Sequence, residues 1–342
     1  MINRYTALAK ITLALIYLVI LAGSVVRMTG SGMGCPDWPK CFGYAIPPTQ
    51  ESTLEWQSER EFKKGQVIIL EEQLKVAKKD FTTASEFNTS NWSDYDKHNY
   101  AEFNVWHTWI EFINRLLGAL AGLFTLLLLF FAFAIKPIRT KYVVYSLFLV
   151  LGMGFQAWLG AKVVYSVLNP FRISLHMGMA LLIVAVLLRF IHDLNHPVKG
   201  ELFQPKLRNI VGLALLLSLV QIAMGTQVRE FVDLQVDLFG YDKKSKWLED
   251  PTLLFYVHRS FSILVLGLNL YIAYILKNTT PKVNAFNWVI VFLGLEIATG
   301  IAMYYFDFPW ASQPLHLIIA TFIFGFQYYG YVRISKNLNR VK

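Results

Sequence analysis

The sequence is poor in charged residues and in cysteine, and each deficit excludes some classes of protein. Only 16% of its 342 residues are charged and 55% are hydrophobic, whereas a soluble domain carries roughly 25% charged residues. A chain this apolar is not intrinsically disordered, because disorder requires low hydrophobicity. Two cysteines, Cys35 and Cys41, are too few for a disulfide-stapled secreted module or a multi-cysteine metal cluster. With these classes excluded, the composition indicates a membrane protein.

The apolar residues fall in eight long blocks. A helix needs about 20 apolar residues to cross a bilayer. We expect neither a cleaved signal peptide, since the first block is too long, nor a mitochondrial transit sequence. The sequence therefore predicts a bacterial, all-α integral membrane protein with eight transmembrane helices. The blocks are residues 8–28, 104–135, 142–164, 171–191, 207–228, 253–276, 285–304 and 313–333.

Lysine and arginine mark one side of the membrane. That side holds fifteen bases and two acids, Asp193 and Glu201, and the positive-inside rule assigns such a side to the cytoplasm. We predict the bacterial cytoplasmic membrane, with both termini in the cytoplasm. The net charge of 32 − 23 = +9 follows from this topology, so the expected partner is the lipid bilayer and not nucleic acid. The bases are Arg4, Lys10, Lys136, Arg139, Lys141, Arg189, Lys199, Lys206, Arg208, Lys277, Lys282, Arg333, Lys336, Arg340 and Lys342.

Two larger loops face the outer side. Residues 29–102 hold both cysteines and then a polar stretch, in which residues 54–80 mix Glu and Lys with few helix breakers. We expect a solvated helix there. Residues 229–252 form a second, acidic loop. Three histidines are expected to be solvated, in loops or at helix ends: His98, His192 and His196.

The chain contains a duplicated four-helix unit. The matching segments are Phe112–Arg115 with Tyr256–Arg259 (144 residues apart), Ser174–His176 with Pro314–His316 (140), Gly154–Gln156 with Gly294–Glu296 (140), and Gly23–Arg27 with Gly225–Arg229 (202). They predict two tandem four-helix bundles related by a pseudo-twofold axis along the membrane normal. The N-terminal half spans residues 1–192, with an outer insertion at about 50–102, and the C-terminal half spans residues 207–342.

Ionisable and amide side chains inside the blocks form one layer. Such groups are expensive in a membrane, so each needs a partner or a function. Even-numbered spans run inward from the outside, which puts the layer in the outer half of the bilayer. Histidines on alternate helices of a bundle are typical of haem ligation, and zinc is less favoured because no fixed cysteine or carboxylate set accompanies them. The layer comprises His107, Glu111, Asn114, Arg115, His176, His258, Arg259 and His316.

The two halves predict different haem coordination. His258 and His316 make a complete pair that can hold one iron from both faces as a low-spin, electron-transferring haem. In the first half Asn114 stands at the position of His258, and an amide is a poor iron ligand. His176 remains there, with Glu111 one turn before Asn114 on the same helix face. We therefore expect one haem to be a fixed cofactor and the other an exchangeable substrate or a reaction site.

Several arginines are candidates to bind haem propionates, because guanidinium binds carboxylates bidentately. The alternative for those at helix ends is interfacial snorkelling, and for those inside the membrane it is a structural pair with a carbonyl or carboxylate. The candidates are Arg27, Arg172 and Arg229 at outer helix ends, and Arg115 and Arg259 within the membrane. Interhelical hydrogen bonds are expected for Gln156, Gln221 and Glu296.

The first outer loop carries the most specific motif. The stretch from Arg27 to Cys41, RMTGSGMGCPDWPKC, closely resembles the haem A synthase family, as do the eight-span duplication and the four histidine or histidine-like positions. The resemblance covers the chain except about residues 50–100. It implies oxidation of the C8 methyl of haem O to a formyl group, giving haem A for terminal oxidases, with a haem b at His258 and His316. It also implies a haem O-producing farnesyltransferase and terminal oxidase assembly as partners.

The resemblance also places the substrate haem in the N-terminal half, near Glu111 and His176. Many family members carry Glu-x-x-His on the second span, where this chain has Glu111-x-x-Asn114. Either His107 compensates, or His176 alone holds the substrate iron. Glu111 either moves protons or stabilises a cationic intermediate, or it is a structural acid paired with Arg115.

Cys35 and Cys41 lie on the oxidising outer side, where we expect a disulfide. It either staples the loop above the haem pocket or has a redox or haem-transfer role. Two other function classes stay open. One is a membrane b-type cytochrome that transfers electrons between quinol and an outer acceptor, and the other is a solute transporter without haem. A homo-oligomer is compatible with the sequence.

Overall fold

Eight long helices make up most of the structure, a computed structural model that describes residues 2–135, 140–195, 205–277 and 283–334. Within these ranges eight helices are long and apolar enough to cross a membrane, which confirms the predicted fold class. They are α1 (Ile2–Met28), α2 (Val105–Ala134), α3 (Thr140–Tyr165), α4 (Pro170–Leu194), α5 (Pro205–Phe239), α6 (Leu253–Lys277), α7 (Ala285–Tyr305) and α8 (Ser312–Ile334).

The helices pack in two groups of four. Helices α1 and α3 each contact α2 and α4, and helices α5 and α7 each contact α6 and α8. The groups meet where α1 and α4 lie against α8, and where α4 lies against α5. Buried aliphatic and aromatic side chains from both groups form one continuous core. The division of the chain at residues 192 and 207, and the symmetry axis, remain predictions.

Helix α5 is longer than its predicted block, which ended at residue 228. The helix continues to Phe239 because Arg229 pairs with Asp233 one turn later, at 2.7 Å, and because Val232 packs in a small buried cluster with Trp247. Much of the predicted outer loop at residues 229–252 is therefore helix.

The solvated helix predicted at residues 54–80 is wrong, because this segment forms strands. A central β3 pairs antiparallel with β2 and β5, and β1 pairs with β4. The physical reason is the apolar run Val67–Leu70, which is rich in β-branched residues that favour strands and which buries Ile68 completely. The strands are β1 (Glu61–Phe62), β2 (Val67–Leu70), β3 (Gln73–Ala77), β4 (Phe81–Thr82) and β5 (Trp92–Asp94).

Two of the three histidines expected to be solvated are not. His192 is only 6% exposed, because the inner end of α4 packs against α8 and the ring meets Tyr329 edge-on at 6.1 Å. His98 is partly buried, with Nε2 lying 2.8 Å from the carbonyl oxygen of Pro36. The predicted topology residues that lie outside the described residues are Lys136, Arg139, His196, Lys199, Glu201, Lys282, Lys336, Arg340 and Lys342.

The outer insertion depends on Phe62, which is fully buried between the rings of Phe81 and Trp92. Truncating a buried Phe costs about 3–5 kcal/mol, a large share of the stability of a small folded unit. We therefore expect Phe62→Ala to unfold the insertion and leave the helices intact. Trypsin should then cleave within residues 50–102 much faster, as measured by mass spectrometry on purified protein. Ile46→Ala, at a 70% exposed site, is the control, and equal cleavage of all three proteins would contradict this core.

Candidate functional site

The cysteine loop, residues 30–44, lies on the N-terminal end of α2. Cys35 and Cys41 form the predicted disulfide. The hydroxyl of Thr108 donates to the carbonyl of Gly34 at 2.8 Å, and a Cβ at Gly34 would overlap the carbonyl of His107. The loop backbone therefore approaches α2 to a distance that only glycine permits.

Glu111 and Arg115 tie this loop to α2. Oε2 of Glu111 accepts the N–H of Cys35 at 2.8 Å, and Oε1 pairs with Arg115 at 2.5 Å. The guanidinium also donates to the carbonyl oxygens of Cys35, Asp37 and Lys40, at 2.7, 2.6 and 3.0 Å. The sequence left a propionate contact or a structural pair open for Arg115; the structure shows the ion pair with Glu111, and the propionate contact stays a prediction. Glu111 is only 4% exposed, so this ion pair is buried.

The insertion supports the same loop from the outside. The hydroxyl of Tyr95 donates to the carbonyl of Pro36 at 3.2 Å, and the ring of His98 contacts the same oxygen. The N–H of Val67 on β2 donates to the carbonyl of Phe42 at 3.1 Å. The cysteine loop is thus held between α2 and the β strands.

Asp37 closes the loop on itself. Its carboxylate oxygens accept the N–H groups of Phe42 and Gly43 at 2.5 and 2.7 Å. Burial raises the pKa of Asp37, while these N–H donors and the nearby Arg115 oppose that rise. Protonation of Asp37 is therefore favoured at higher pH than for an exposed aspartate.

A glycine of the preceding helix faces each of the four predicted ligand positions. A Cβ at these glycines would lie between 3.1 and 3.8 Å from the facing side chain, so each glycine leaves room beside a potential ligand. The same local arrangement thus occurs in all four helix pairs. The pairs are Gly23 with Asn114, Gly160 with His176, Gly225 with His258, and Gly300 with His316.

Two of the predicted interhelical hydrogen bonds hold the backbone at histidines. Gln156 donates to the carbonyl of His176 at 3.0 Å, and Gln221 donates to that of His258 at 2.9 Å. Among the described residues, Nδ1 of both histidines and Oδ1 of Asn114 are buried without a hydrogen-bond partner. An unsatisfied polar atom in apolar surroundings is unfavourable, and imidazole is a haem iron ligand. The histidines therefore fit a haem.

His316 has the most polar surroundings of the four positions. Its Nε2 lies 3.1 Å from Oε1 of Glu296, which is the third predicted interhelical contact. Its Nδ1 lies 2.8 Å from the hydroxyl of Thr299. Thr299 was missed, although its position directly before the repeated Gly300 was a usable signal.

Arg27 and Arg229, predicted as separate propionate ligands, meet at one carboxylate. Both donate to Asp233 at 2.7 Å. Asp233 was also missed, although its position one turn after Arg229 is typical of a helical ion pair. The structure shows these ion pairs and does not test propionate binding, so the propionate role of both arginines stays a prediction.

Arg172 and Arg259 have weaker partners. Arg172 donates to the carbonyl of Lys162 at 2.9 Å. The guanidinium of Arg259 lies 5.4 Å from the ring centroid of Tyr256, a cation–π distance. Their role as propionate ligands likewise remains a prediction.

These features define a class: a multi-pass membrane protein with imidazoles on alternate helices and a disulfide-closed loop. The chain belongs to the COX15-CtaA family of cytochrome oxidase assembly proteins, whose family model matches residues 6–328. It is similar to proteins named Heme A synthase. The one from Flavobacterium johnsoniae is 26% identical, over 94% of this chain and 95% of the relative. The one from Dinoroseobacter shibae is 28% identical, over 88% and 80%.

Arg115→Lys tests the clamp on the cysteine loop. Lysine keeps the charge but lacks the planar fork of donors, so it cannot hold Glu111 and three carbonyls together. Loss of one charge-assisted hydrogen bond, roughly 1.5–3 kcal/mol, should speed reduction of the disulfide by about tenfold or more. Alkylation after timed exposure to a phosphine reductant, read by mass spectrometry, measures this rate. Arg172→Lys is the control, and an unchanged rate in Arg115→Lys would show that the loop holds without the clamp.

Proposed function

We propose that this protein is a haem A synthase, which oxidises the C8 methyl of haem O to a formyl group. The proposal rests on one observation: the two halves of the chain carry different residues at matching positions of the repeat. One half has the paired histidines His258 and His316, and the other has Asn114 and His176 with a buried acid, Glu111. Membership of the cytochrome oxidase assembly family and the names of the relatives support it. They do not favour the electron-transferring cytochrome.

The C-terminal half holds haem b in this proposal. His258 and His316 are its iron ligands, supported by the glycines that face them, and His316 binds the iron once its Nε2 gives up the contact with Glu296. When bound, this haem supplies electron transfer. Gln221 holds the backbone carbonyl of His258, which fixes the start of α6 relative to α5 and keeps the ligand in position.

The N-terminal half takes haem O as substrate, with His176 as its iron ligand and Asn114 on the facing helix. Converting a methyl to a formyl group with water as the oxygen source (CH3 + H2O → CHO + 4 H+ + 4 e−) releases electrons, for which haem b and an external oxidant would be the acceptors, and it releases protons, which must leave the site. Glu111 is the buried acid on this side, and His107 lies one turn further out on the same helix face. Glu111 accepts a proton and His107 passes it to the outer surface.

The proposed setting is the bacterial cytoplasmic membrane, with both termini inside and both haem sites toward the outer face. The excess of bases on the inner side supports this orientation. The disulfide supports it too, because disulfides persist on the oxidising side of that membrane. A farnesyltransferase that makes haem O supplies the substrate, and terminal oxidase assembly uses the product.

His258→Ala and His316→Ala should each remove the low-spin haem b signal, because losing one axial ligand leaves the iron with a single protein bond. Absorption spectra of purified protein, with haem measured per protein, report the loss. His176→Ala is the matched control from the other half and should keep the low-spin signal. An unchanged low-spin spectrum at full occupancy in either of the first two variants would show that this pair does not hold the iron.

Glu111→Gln tests the function and the role of the acid together. In cells that make haem O, wild-type protein should yield haem A or its hydroxymethyl precursor, detected by chromatography of extracted haems. Gln keeps the shape and can still accept the N–H of Cys35, but it cannot take up a proton. General acid–base groups contribute about 10²–10⁴-fold, so haem O should accumulate while the haem b signal persists.

Two companion measurements make this test selective. The disulfide reduction assay on Glu111→Gln shows whether the loop has loosened, which would indicate a structural effect. Asn114→His restores the family pattern and should add an imidazole ligand for substrate haem. If Glu111→Gln makes haem A at a near wild-type rate, Glu111 is structural, and His107 or His176 becomes the better catalytic candidate. If the wild type leaves haem O unchanged, the proposed function is wrong.

A further inference from the structure

One carboxylate joins the two halves at the outer ends of α1 and α5. Nε and Nη2 of Arg27 donate to Oδ2 of Asp233 at 3.1 and 2.7 Å. Nη2 of Arg229 donates to Oδ1 of Asp233 at 2.7 Å and to the carbonyl of Arg27 at 3.2 Å. Asp233 therefore bridges two guanidinium groups that come from different halves.

The two arginines are equivalent positions of the internal repeat, 202 residues apart. Each lies four residues after a glycine, Gly23 or Gly225, that faces a predicted iron-ligand position. Four residues of helix rise about 6 Å. Each arginine thus stands about one turn outward from the ligand position of its own half.

The charges of this cluster do not balance. Two guanidiniums share one carboxylate, because the position equivalent to Asp233 in the first half is Ser31, 202 residues earlier. Among the described residues, Nη1 of Arg229 is buried without a hydrogen-bond partner. A buried charged donor without a partner is unfavourable, and the group that complements it is a second carboxylate, which guanidinium binds with charge-assisted hydrogen bonds.

We propose that Asp233 is a positioning residue, which holds Arg27 and Arg229 as a carboxylate-binding site shared by the two halves. Nη1 of Arg229 binds a propionate of the haem held by His258 and His316. The proposal rests on the haem site proposed above. Without Asp233, two like charges would repel each other across the α1–α5 boundary, and Arg229 would not keep the direction in which it presents Nη1.

The test compares ferric protohaem with its dimethyl ester, which lacks the propionate charges. Each is titrated into haem-free protein purified in detergent from haem-deficient cells, and the low-spin absorption reports binding at the paired histidines. The wild type should bind the diacid roughly tenfold more tightly than the ester, the effect of one charge-assisted hydrogen bond. Arg229→Gln and Asp233→Asn should both bring the ratio of the two dissociation constants close to one.

Asp237→Asn is the matched control, because Asp237 is an exposed aspartate one turn further along α5, and it should keep the wild-type ratio. Asp233→Ser is measured beside Asp233→Asn, so that one variant unable to fold does not decide the test. Each ratio comes from one preparation and does not depend on the fraction of folded protein.

Three results would overturn the proposal, and they differ from one another. A wild-type ratio near one removes the propionate site but leaves the haem site standing. A wild-type ratio retained in both Asp233 variants, but lost in Arg229→Gln, shows that Arg229 acts without being positioned by Asp233. No low-spin absorption with either haem overturns the His258–His316 assignment and the propionate site with it.

Discussion

A polar group inside a bilayer has to find its partner within the protein, because hydrocarbon supplies none. This constraint organises the outer ends of the helices. The carboxylate of Glu111 is paired with Arg115 and with the backbone N–H of Cys35 in the cysteine loop. The buried acid therefore depends on the loop for one of its hydrogen bonds. The same constraint draws attention to His176 and His258, whose Nδ1 atoms are buried without a hydrogen-bond partner among the described residues, and it supports the proposal that these rings belong to a functional site.

The two halves share helices and spacing but differ at a few positions that decide their chemistry. His258 stands where the first half has Asn114, and Phe255 stands where the first half has Glu111. The C-terminal half therefore has two imidazoles and no acid on α6, which suits a fixed electron-transferring cofactor. At the matching positions the N-terminal half has one imidazole, His176, and a buried acid, Glu111, which suits the proposed substrate site.

The outer insertion shows where reasoning from composition failed. The segment from 54 to 80 contains many Glu and Lys residues and few helix breakers, and this composition predicted a solvated helix. Glu and Lys are good helix formers, but on an exposed surface they do not by themselves decide between helix and strand. The outcome depended on few apolar residues, among them Phe62 and Ile68, which are completely buried in the strands. By contacting Pro36, the insertion also supports the cysteine loop, a role that its composition did not indicate.

The sequence alone determined the eight membrane helices, which the structure confirms, because hydrophobic length is a local property of a chain. The internal repeat and the layer of histidines follow from helical spacing in the same way and stay predictions. The sequence also identified the loop from Arg27 to Cys41 and its disulfide. Only the tertiary structure decided which partner each charged group takes. Arg27 and Asp233 are 206 residues apart and meet because α1 and α5 end side by side, and His192 is buried because α4 packs against α8. Such contacts arise from the packing of helices distant in sequence, which no local pattern encodes.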